Sequence, residues 1–526
     1  MWLLYIELEI KNLNMKNLVV VFFLLAHSIV FAQIKEGPIK GEVIYHLNQR
    51  SFYDSNGDLQ GDLNGLKQKL PYLQQLGITS ILLLPLYEAD CYHNYFANSF
   101  EKIDPEFGTM EEYISLVKEI HKRGMKIYLD METQYVSEKH SWWKGAIGNL
   151  KSPYSDYILF EDAEHNTPAT FVFDLRQLNS YDGSFIKVAT VNLRSKKVFD
   201  YNKKLFTFFV DPNADGKFDD GADGFRLDHA MDNLDGKSAL TNLFADFWKP
   251  LLTDLKKVNP ALTNVAEQSD WKDYGFSYFT HAGVDRVFGF GLQQAILSFD
   301  KQSLIKNADT ILAKRPNGKD QIIFIENHDM DRVASLVTSV EKQKLAASIM
   351  LLIGGIPSIY YGQEIGMQGK IGNWGGTDGN DIPRRAAFEW YKSDDGIGMA
   401  TWYKNTGGWW DNRIMKASDG ISVEEQQNTK GSMFDHYQQM IQLKQSNPAL
   451  AKGSYANAIN NNDNVFSFYR SYKKEKVLVV VNLSNETQTA TFEQDVKKAI
   501  SLFGKSTFTN KSLQLNPYQV TVFELK

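Results

Sequence analysis

Cysteine is almost absent: Cys91 is the single one in 526 residues. That excludes an internal disulfide and any metal site built from a cysteine cluster. An excess of basic residues is lacking too. The 57 Lys and Arg are outnumbered by 63 Asp and Glu, for a formal net charge of −6, whereas a dedicated nucleic-acid binder carries a strongly basic face. Past the first 32 residues no segment approaches the roughly 18 uninterrupted apolar residues that read as a membrane span. Low-complexity tracts and short repeats are missing as well. What remains is a globular balance, 43% hydrophobic and 23% charged, with ample material for a core.

The N-terminus carries a targeting pattern. Met15-Lys16-Asn17 opens an apolar run from Leu18 to Ala26, and Val30-Phe31-Ala32 precedes Gln33. This reads as a signal peptide spanning residues 1–32, cleaved after Ala32, with Met15 as the true start because Glu7 and Glu9 suit such a segment poorly. The mature chain is expected to be secreted or periplasmic, with no membrane span. Beyond it, short β-branched runs alternate with amphipathic stretches. Expected strands are Val43 to Tyr45, Ile81 to Pro85, Lys126 to Asp130, Gly224 to Asp228, Asn264 to Glu267, Arg286 to Phe290, Ile322 to Asn327 and Ser358 to Tyr361. Between them, helical patterns run over Leu63 to Leu76, Met110 to Arg123, Val198 to Phe209, Leu240 to Lys257 and Glu341 to Leu352. Eight strands alternating with helices predict an α/β fold, a (β/α)₈ TIM barrel, in residues 33–130 and 193–447. Residues 131–192 are too long for an ordinary loop and predict an inserted subdomain after strand 3. A helix near Met433 to Leu443 closes the barrel, and residues 448–526 change to the alternating texture of a C-terminal antiparallel β-domain.

The carboxyl ends of barrel strands converge on one face, where polar residues have a catalytic reading. Four such ends carry acids: Asp130, Asp228, Glu267 and, in Glu326-Asn327-His328-Asp329, Asp329. A lone strand-end Asp serves more often as a helix cap or loop anchor. Several unrelated strands bringing carboxylates to one mouth has no structural advantage, because like charges at close range repel. Cleavage of a glycosidic bond with retention gives a reason: one carboxylate attacks while a protonated one acts as acid, about 5 to 5.5 Å away. Asp228, beside Arg226, suits the ionised nucleophile. Glu267 follows an apolar strand and suits the acid, and Asp329 with His328 can hold hydroxyls of the distorted sugar.

Gly224-Phe225-Arg226-Leu227-Asp228, the strand-end Glu267 and Asn327-His328-Asp329 resemble the signatures of glycoside hydrolase family 13, the α-amylase family. The likeness continues in family order through Tyr53 to Asp58, Lys102 to Thr109 and Tyr360 to Met367, covering the chain from about Val43 onward. It implies Asp228 as nucleophile, Glu267 as acid/base and Asp329 as transition-state stabiliser, with Arg226, His328, Asp130 and Tyr95 around the substrate. Two positions depart. Gln134-Tyr135 stands where the family has Asn-His, so a calcium-ligating Asn is replaced by Gln134 and Tyr135 takes the place of a His that touches a sugar 6-hydroxyl. Phe96 occupies a position where many members have Asp, which makes the subsite more apolar.

Asp54, Asn56, Asp58, Gln60 and Asp62 alternate through a glycine-bearing loop. Hard oxygen ligands at every second position can wrap Ca²⁺, and the loop resembles a calcium site in part of the family; its alternative is a solvated turn. Asp211 to Asp219 has similar spacing but includes Lys217 and lacks a bidentate Glu, so a polar turn is its alternative. Loop tryptophans, among them Trp142, Trp374, Trp402 and Trp409, can stack on sugars but more often fill packing gaps; His140 reads as a surface residue. Sequons at Asn482 and Asn485 are weak patterns.

The expected function is retaining hydrolysis of α-glucosidic bonds in starch-like α-glucans, maltooligosaccharides or cyclodextrins, by a monomer without an organic cofactor. A transglycosylase, an isomerase or an exo-α-glucosidase would use the same acids. A non-catalytic glucan-binding protein would have no need of all three acids together with Arg226 and His328.

Overall fold

The computed structural model describes residues 41–493, 496 and 499–526; the targeting segment read from the sequence lies outside them. Eight parallel strands close into a barrel: β1 (Ile44–Leu47), β2 (Ser80–Leu83), β3 (Lys126–Met131), β4 (Gly224–Leu227), β5 (Thr263–Ala266), β6 (Arg286–Phe288), β7 (Asp320–Ile323) and β8 (Ile356–Tyr360). Each overlaps a strand read from the sequence. They are legible because strands covered on both faces must be short, apolar and rich in branched residues.

Side-chain alternation sorts each strand into two cores. Phe225 and Leu227 of β4 point outward into the helical layer, where Phe225 meets Phe206 at 4.7 Å between ring centroids. The inward positions stack in tiers. Ile44, Leu82, Tyr128, Val265, Phe288 and Ile322 form an apolar plug inside the barrel. One alternation later in the chain come His46, Asp130, Arg226 and Glu267, all buried. On β1, β3 and β5 the period of two lifts the inward side chain from hydrocarbon to a polar or charged group as it nears the C-terminal mouth, whereas Phe290 and Phe324 keep the inward positions that follow Phe288 and Ile322 apolar.

Helices wrap the outside. The first, α1 (Leu63–Leu76), starts where Asp62 accepts the Gly65 N–H and stops at Gly77, whose φ of +98° favours glycine. α2 (Met110–Lys122) opens with a capping box between Thr109 and Glu112. α3 (Lys196–Val210) precedes β4, and a helix over Met433–Ser446 closes the layer. The stretch expected to be one helix from Leu240 instead begins with a π-turn, Phe244–Trp248, and becomes α-helical over Lys249–Val258. Asn242, at φ +59°, holds the preceding segment out of helix.

Between β3 and β4, a small antiparallel sheet of Tyr135–Ser137, Phe185–Thr190 and Gln177–Asn179 stands over the barrel mouth. After the last helices, a five-stranded antiparallel sheet uses alternation again. Val477, Val479 and Val481 face the barrel cluster, while Leu478 and Val480 face a second core shared with Leu513 and Leu515 of a three-stranded sheet.

Candidate active site at the barrel mouth

A cleft of about 1240 Å³ opens at the C-terminal ends of the strands, lined among others by Tyr95, Tyr135, Asp228, Glu267, His328 and Asp329. Register explains its floor. Asp130 of β3 lies level with Arg226 of β4, which lies level with Val265 of β5. Glu267 and Asp228 follow just past their strands, each with its backbone N–H still bonded to the neighbouring strand at 3.1 Å. Arg226 is the hub. Its Nη1 donates to Asp130 Oδ2 at 2.8 Å and also to Asp228 Oδ1, and its Nη2 donates to Glu267 Oε2 at 2.7 Å. One guanidinium thus holds three carboxyl groups from three strands.

Their electrostatics diverge. Burial would raise the Asp228 pKa, but Arg226 and His229 outweigh it and hold the carboxyl well below the usual carboxylate range. For Glu267 burial dominates; Arg226 opposes it, Asp228 and Asp329 add to it, and the group is pushed up to about 8. Asp130 is raised as well, chiefly by burial. Two adjacent carboxyls driven in opposite directions suit opposite roles in proton chemistry.

Tyr95 and His328 form one wall. The Tyr95 hydroxyl donates to Asp130 Oδ2 at 2.7 Å and lies 3.0 Å from His328 Nε2, with the two rings stacked at 14°. Burial and the neighbouring Arg226 keep the His328 imidazole neutral, with its pKa well below the ordinary value. His328 Nε2 also lies 3.1 Å from Asp329 Oδ2, while Arg385 Nη2 holds Asp329 Oδ1 at 3.0 Å. Asp329 remains one third exposed to the cleft. Tyr135 donates to Asp235 Oδ2 at 2.6 Å, and Gln134 Nε2 donates to the Asp228 carbonyl. Phe96 packs edge-on against Phe171 and Tyr135, giving this side an aromatic lining.

Several site residues escaped the sequence reading. Glu132, buried, accepts N–H bonds from Phe96, Gln134 and Tyr135 and so shapes the loop after β3. Arg385 and Trp271 arrive from loops after β8 and β5, and His229 directly follows Asp228. Only His229 had a signal in the chain, its adjacency to a strand-end acid. His140 is not a surface residue: it is buried, caps the helix Ser141–Ala146 by accepting the Trp142 N–H, and burial lowers its pKa to about 3. Trp142, Trp402 and Trp409 are packed into the interior.

In the loop from Asp54 to Asp62, the acids serve as acceptors for the loop's own backbone. Asp54 takes N–H bonds from Asn56, Gly57 and Leu59, and Asp62 takes them from Ser55 and Gly65. Gln60 offers its side chain to Arg50. Among the described residues no group of three or more His, Cys, Asp or Glu is gathered so as to hold a metal ion. In the Asp211 to Asp219 loop Lys217 pairs with Asp215 at 3.1 Å, within a polar turn.

Comparison with known proteins agrees with this architecture. A family described as "Alpha amylase, catalytic domain" matches residues 46–453, and one described as "Alpha-amylase SusG C-terminal domain" matches residues 465–522. The chain is 28% identical to "Alpha-amylase 3" of Dictyoglomus thermophilum, over 98% of this chain and 100% of the relative. It is also 28% identical to "4-alpha-glucanotransferase" of Thermotoga maritima, over 84% and 96%. Among solved structures, the alpha-amylase from H.orenii superposes with a TM-score of 0.77 at 26% identity, covering 93% of this chain and 100% of the other. A barrel whose mouth gathers these acids on one arginine, matched over most of its length by that catalytic-domain family, makes the chain a glycoside hydrolase of the α-amylase family, family 13.

Proposed function

We propose that the protein hydrolyses α-glucosidic bonds in starch-like α-glucans, maltooligosaccharides or cyclodextrins with retention of anomeric configuration. Asp228 attacks the anomeric carbon while Glu267 gives its proton to the departing glycosidic oxygen, leaving a glucosyl ester on Asp228. Water then attacks the anomeric carbon as Glu267 takes its proton, the ester bond breaks, and the sugar leaves with Asp228 restored as a carboxylate. Asp329, exposed to the cleft and braced by Arg385, binds ring hydroxyls as the sugar flattens towards the oxocarbenium-like transition state. His328, Tyr95 and Tyr135 line the same subsite, with Asp130 and Arg226 beneath it. The observation that carries the reading is the shared guanidinium: Arg226 sets Asp228 and Glu267 side by side, while their surroundings ionise one and protonate the other.

The test is a product time course on soluble starch with Asp228→Asn as control, with the first-formed anomer read by proton NMR. Mixed oligosaccharides of α configuration from the wild type, and none from the variant, support the reading. Initial β products would refute retention. Transglycosylation is the second reading, favoured by the aromatic residues Phe96 and Trp271 in the cleft lining, which offer a second sugar apolar surface in place of water. Products longer than the input, formed from maltotriose, would select it.

Two further readings belong to this proposal. The all-oxygen set Asp54, Asn56, Asp58, Gln60 and Asp62 matches the hard-ligand preference of Ca²⁺, and Asp54 Oδ2 and Asp62 Oδ2 each accept a single N–H bond, which leaves each a lone pair. A structural calcium ion there would pin the loop; a chelator should then lower the melting temperature and calcium restore it, while no change would refute the site. Export with cleavage after Ala32 is checked by sequencing the N-terminus of the protein recovered outside the cytoplasm.

A further inference from the structure

His229 follows Asp228 directly, and its backbone adopts φ +42°, a left-handed conformation uncommon outside glycine but one that histidine adopts more readily than most residues. That turn folds the imidazole back so that Nδ1 lies 2.9 Å from Asp228 Oδ2. The other oxygen of the same carboxylate is held by Arg226. Arg226 alone cannot balance the site, since it is shared among Asp130, Asp228 and Glu267, all on buried strand ends. Around the imidazole stand Asp228 on its own segment, Glu267 after β5, Asp235 in the turn that follows, and Glu132 after β3. The Tyr135 ring meets it edge-on at 6.0 Å. Its remaining third is open to the cleft.

We propose that His229 is a positioning residue for Asp228: its imidazolium, donating through Nδ1 to Oδ2, fixes the carboxylate's rotation and supplies the second positive charge that keeps Asp228 ionised while Glu267 beside it keeps its proton. The inference rests on the reading of Asp228 and Glu267 as nucleophile and acid/base. Burial opposes a charged imidazole, but Asp228 and the acids behind it prevail and raise His229 to about 10. The same charge lowers the pKa of both Asp228 and Glu267. A substrate in the cleft meets the nucleophile with both oxygens already oriented, a preorganisation that needs no rearrangement at the moment of attack.

The experiment has two arms. In the first, the ring carbons of the 10 histidines are labelled and titrated by NMR in the full-length protein, His229 being assigned by its loss in His229→Gln. The His229 signal should titrate near 10 and move towards about 6.5 in Asp228→Asn; titration near 6.5 in the wild type, or indifference to Asp228→Asn, would overturn the inference whether or not the enzyme turns over. In the second, kcat/KM is followed against pH for His229→Ala and His229→Gln. His229→Ala should lose about 10- to 100-fold, with both limbs of the profile displaced upward, because Asp228 and Glu267 each lose a nearby cation. His229→Gln, a donor without the charge, should recover part of the rate and leave the limbs displaced. A lower plateau with unmoved limbs would mean a structural role and overturn the proposal. A wild type inactive on every glucan would instead refute the hydrolase reading, even with the Asp228–His229 pair intact by NMR.

Discussion

The two ends of the barrel solve the burial of charge in opposite ways. At the N-terminal end Arg286 Nη2 pairs with Glu42 at 2.6 Å, and the Tyr128 hydroxyl donates to the same carboxylate at 2.8 Å. Burial there is outweighed by Arg286, and Glu42 is pulled down to about 2. At the C-terminal mouth one arginine serves three acids, and burial drives Glu267 up to about 8. Tyr128 and Asp130, two residues apart on β3, belong to these two solutions. A matched pair closes the bottom of the fold; at the mouth the acids outnumber the cations, and burial together with the neighbouring Asp228 and Asp329 holds a proton on Glu267 where chemistry can use it.

The largest effect expected from breaking this contrast is at the mouth. Asp228→Asn should lower kcat by at least about 10⁴-fold while the melting temperature stays within a few degrees, as followed by starch hydrolysis and calorimetry. At the bottom the consequences reverse. Arg286→Met leaves a carboxylate buried without its partner and should cost about 3–5 kcal/mol of stability, with kcat per folded molecule unchanged. Adding Glu42→Gln to that variant should restore much of the loss.

The two ends also respond to pH with opposite signs. Glu42 has a folded pKa below its unfolded value of 4.5, so its contribution is present above 4.5 and disappears as pH falls through about 2. Glu267 has a folded pKa above its unfolded value of 4.5, so its contribution is present below 4.5 and disappears as pH rises through about 8. Melting curves across pH should therefore flatten on the acid side in Glu42→Gln and between 4.5 and 8 in Glu267→Gln. Activity should share only the second dependence, with an alkaline limb of kcat/KM near 8. The smallest expected effect is that of Tyr135→Phe, which removes one hydrogen bond to Asp235 and should change kcat/KM by less than about tenfold; a larger loss would place the Tyr135 hydroxyl on the substrate itself.

The barrel was legible because its strands are buried on both faces and so read as short apolar runs, and because its helices read as amphipathic stretches between them; that Asp62 and Thr109 cap two of these helices was visible only in the structure. The convergence of Asp130, Arg226, Asp228 and Glu267 followed from the same regularity: residues at the ends of parallel strands meet at one mouth. What the sequence concealed was assembled by loops. Arg385 reaches Asp329 from 56 residues away, and no local pattern records that meeting. Glu132 is a plain acid two residues past Asp130, and its role emerges only when three N–H groups turn towards it. His229 was adjacent to Asp228 in plain view, but its function depends on a left-handed turn that side-chain periodicity does not report. The π-turn at Phe244–Trp248 and the burial of His140 were missed for a related reason, since tertiary packing overrode the local preference.

The central claim is that Asp228 becomes covalently bonded to sugar during turnover. The most direct measurement is mass spectrometry of proteolytic fragments after reaction with a 5-fluoroglycosyl fluoride, which slows hydrolysis of the ester. The account expects a glycosyl adduct on the fragment bearing Asp228, absent from Asp228→Asn. An adduct on another carboxylate, or rapid turnover with inversion and no adduct, would contradict it.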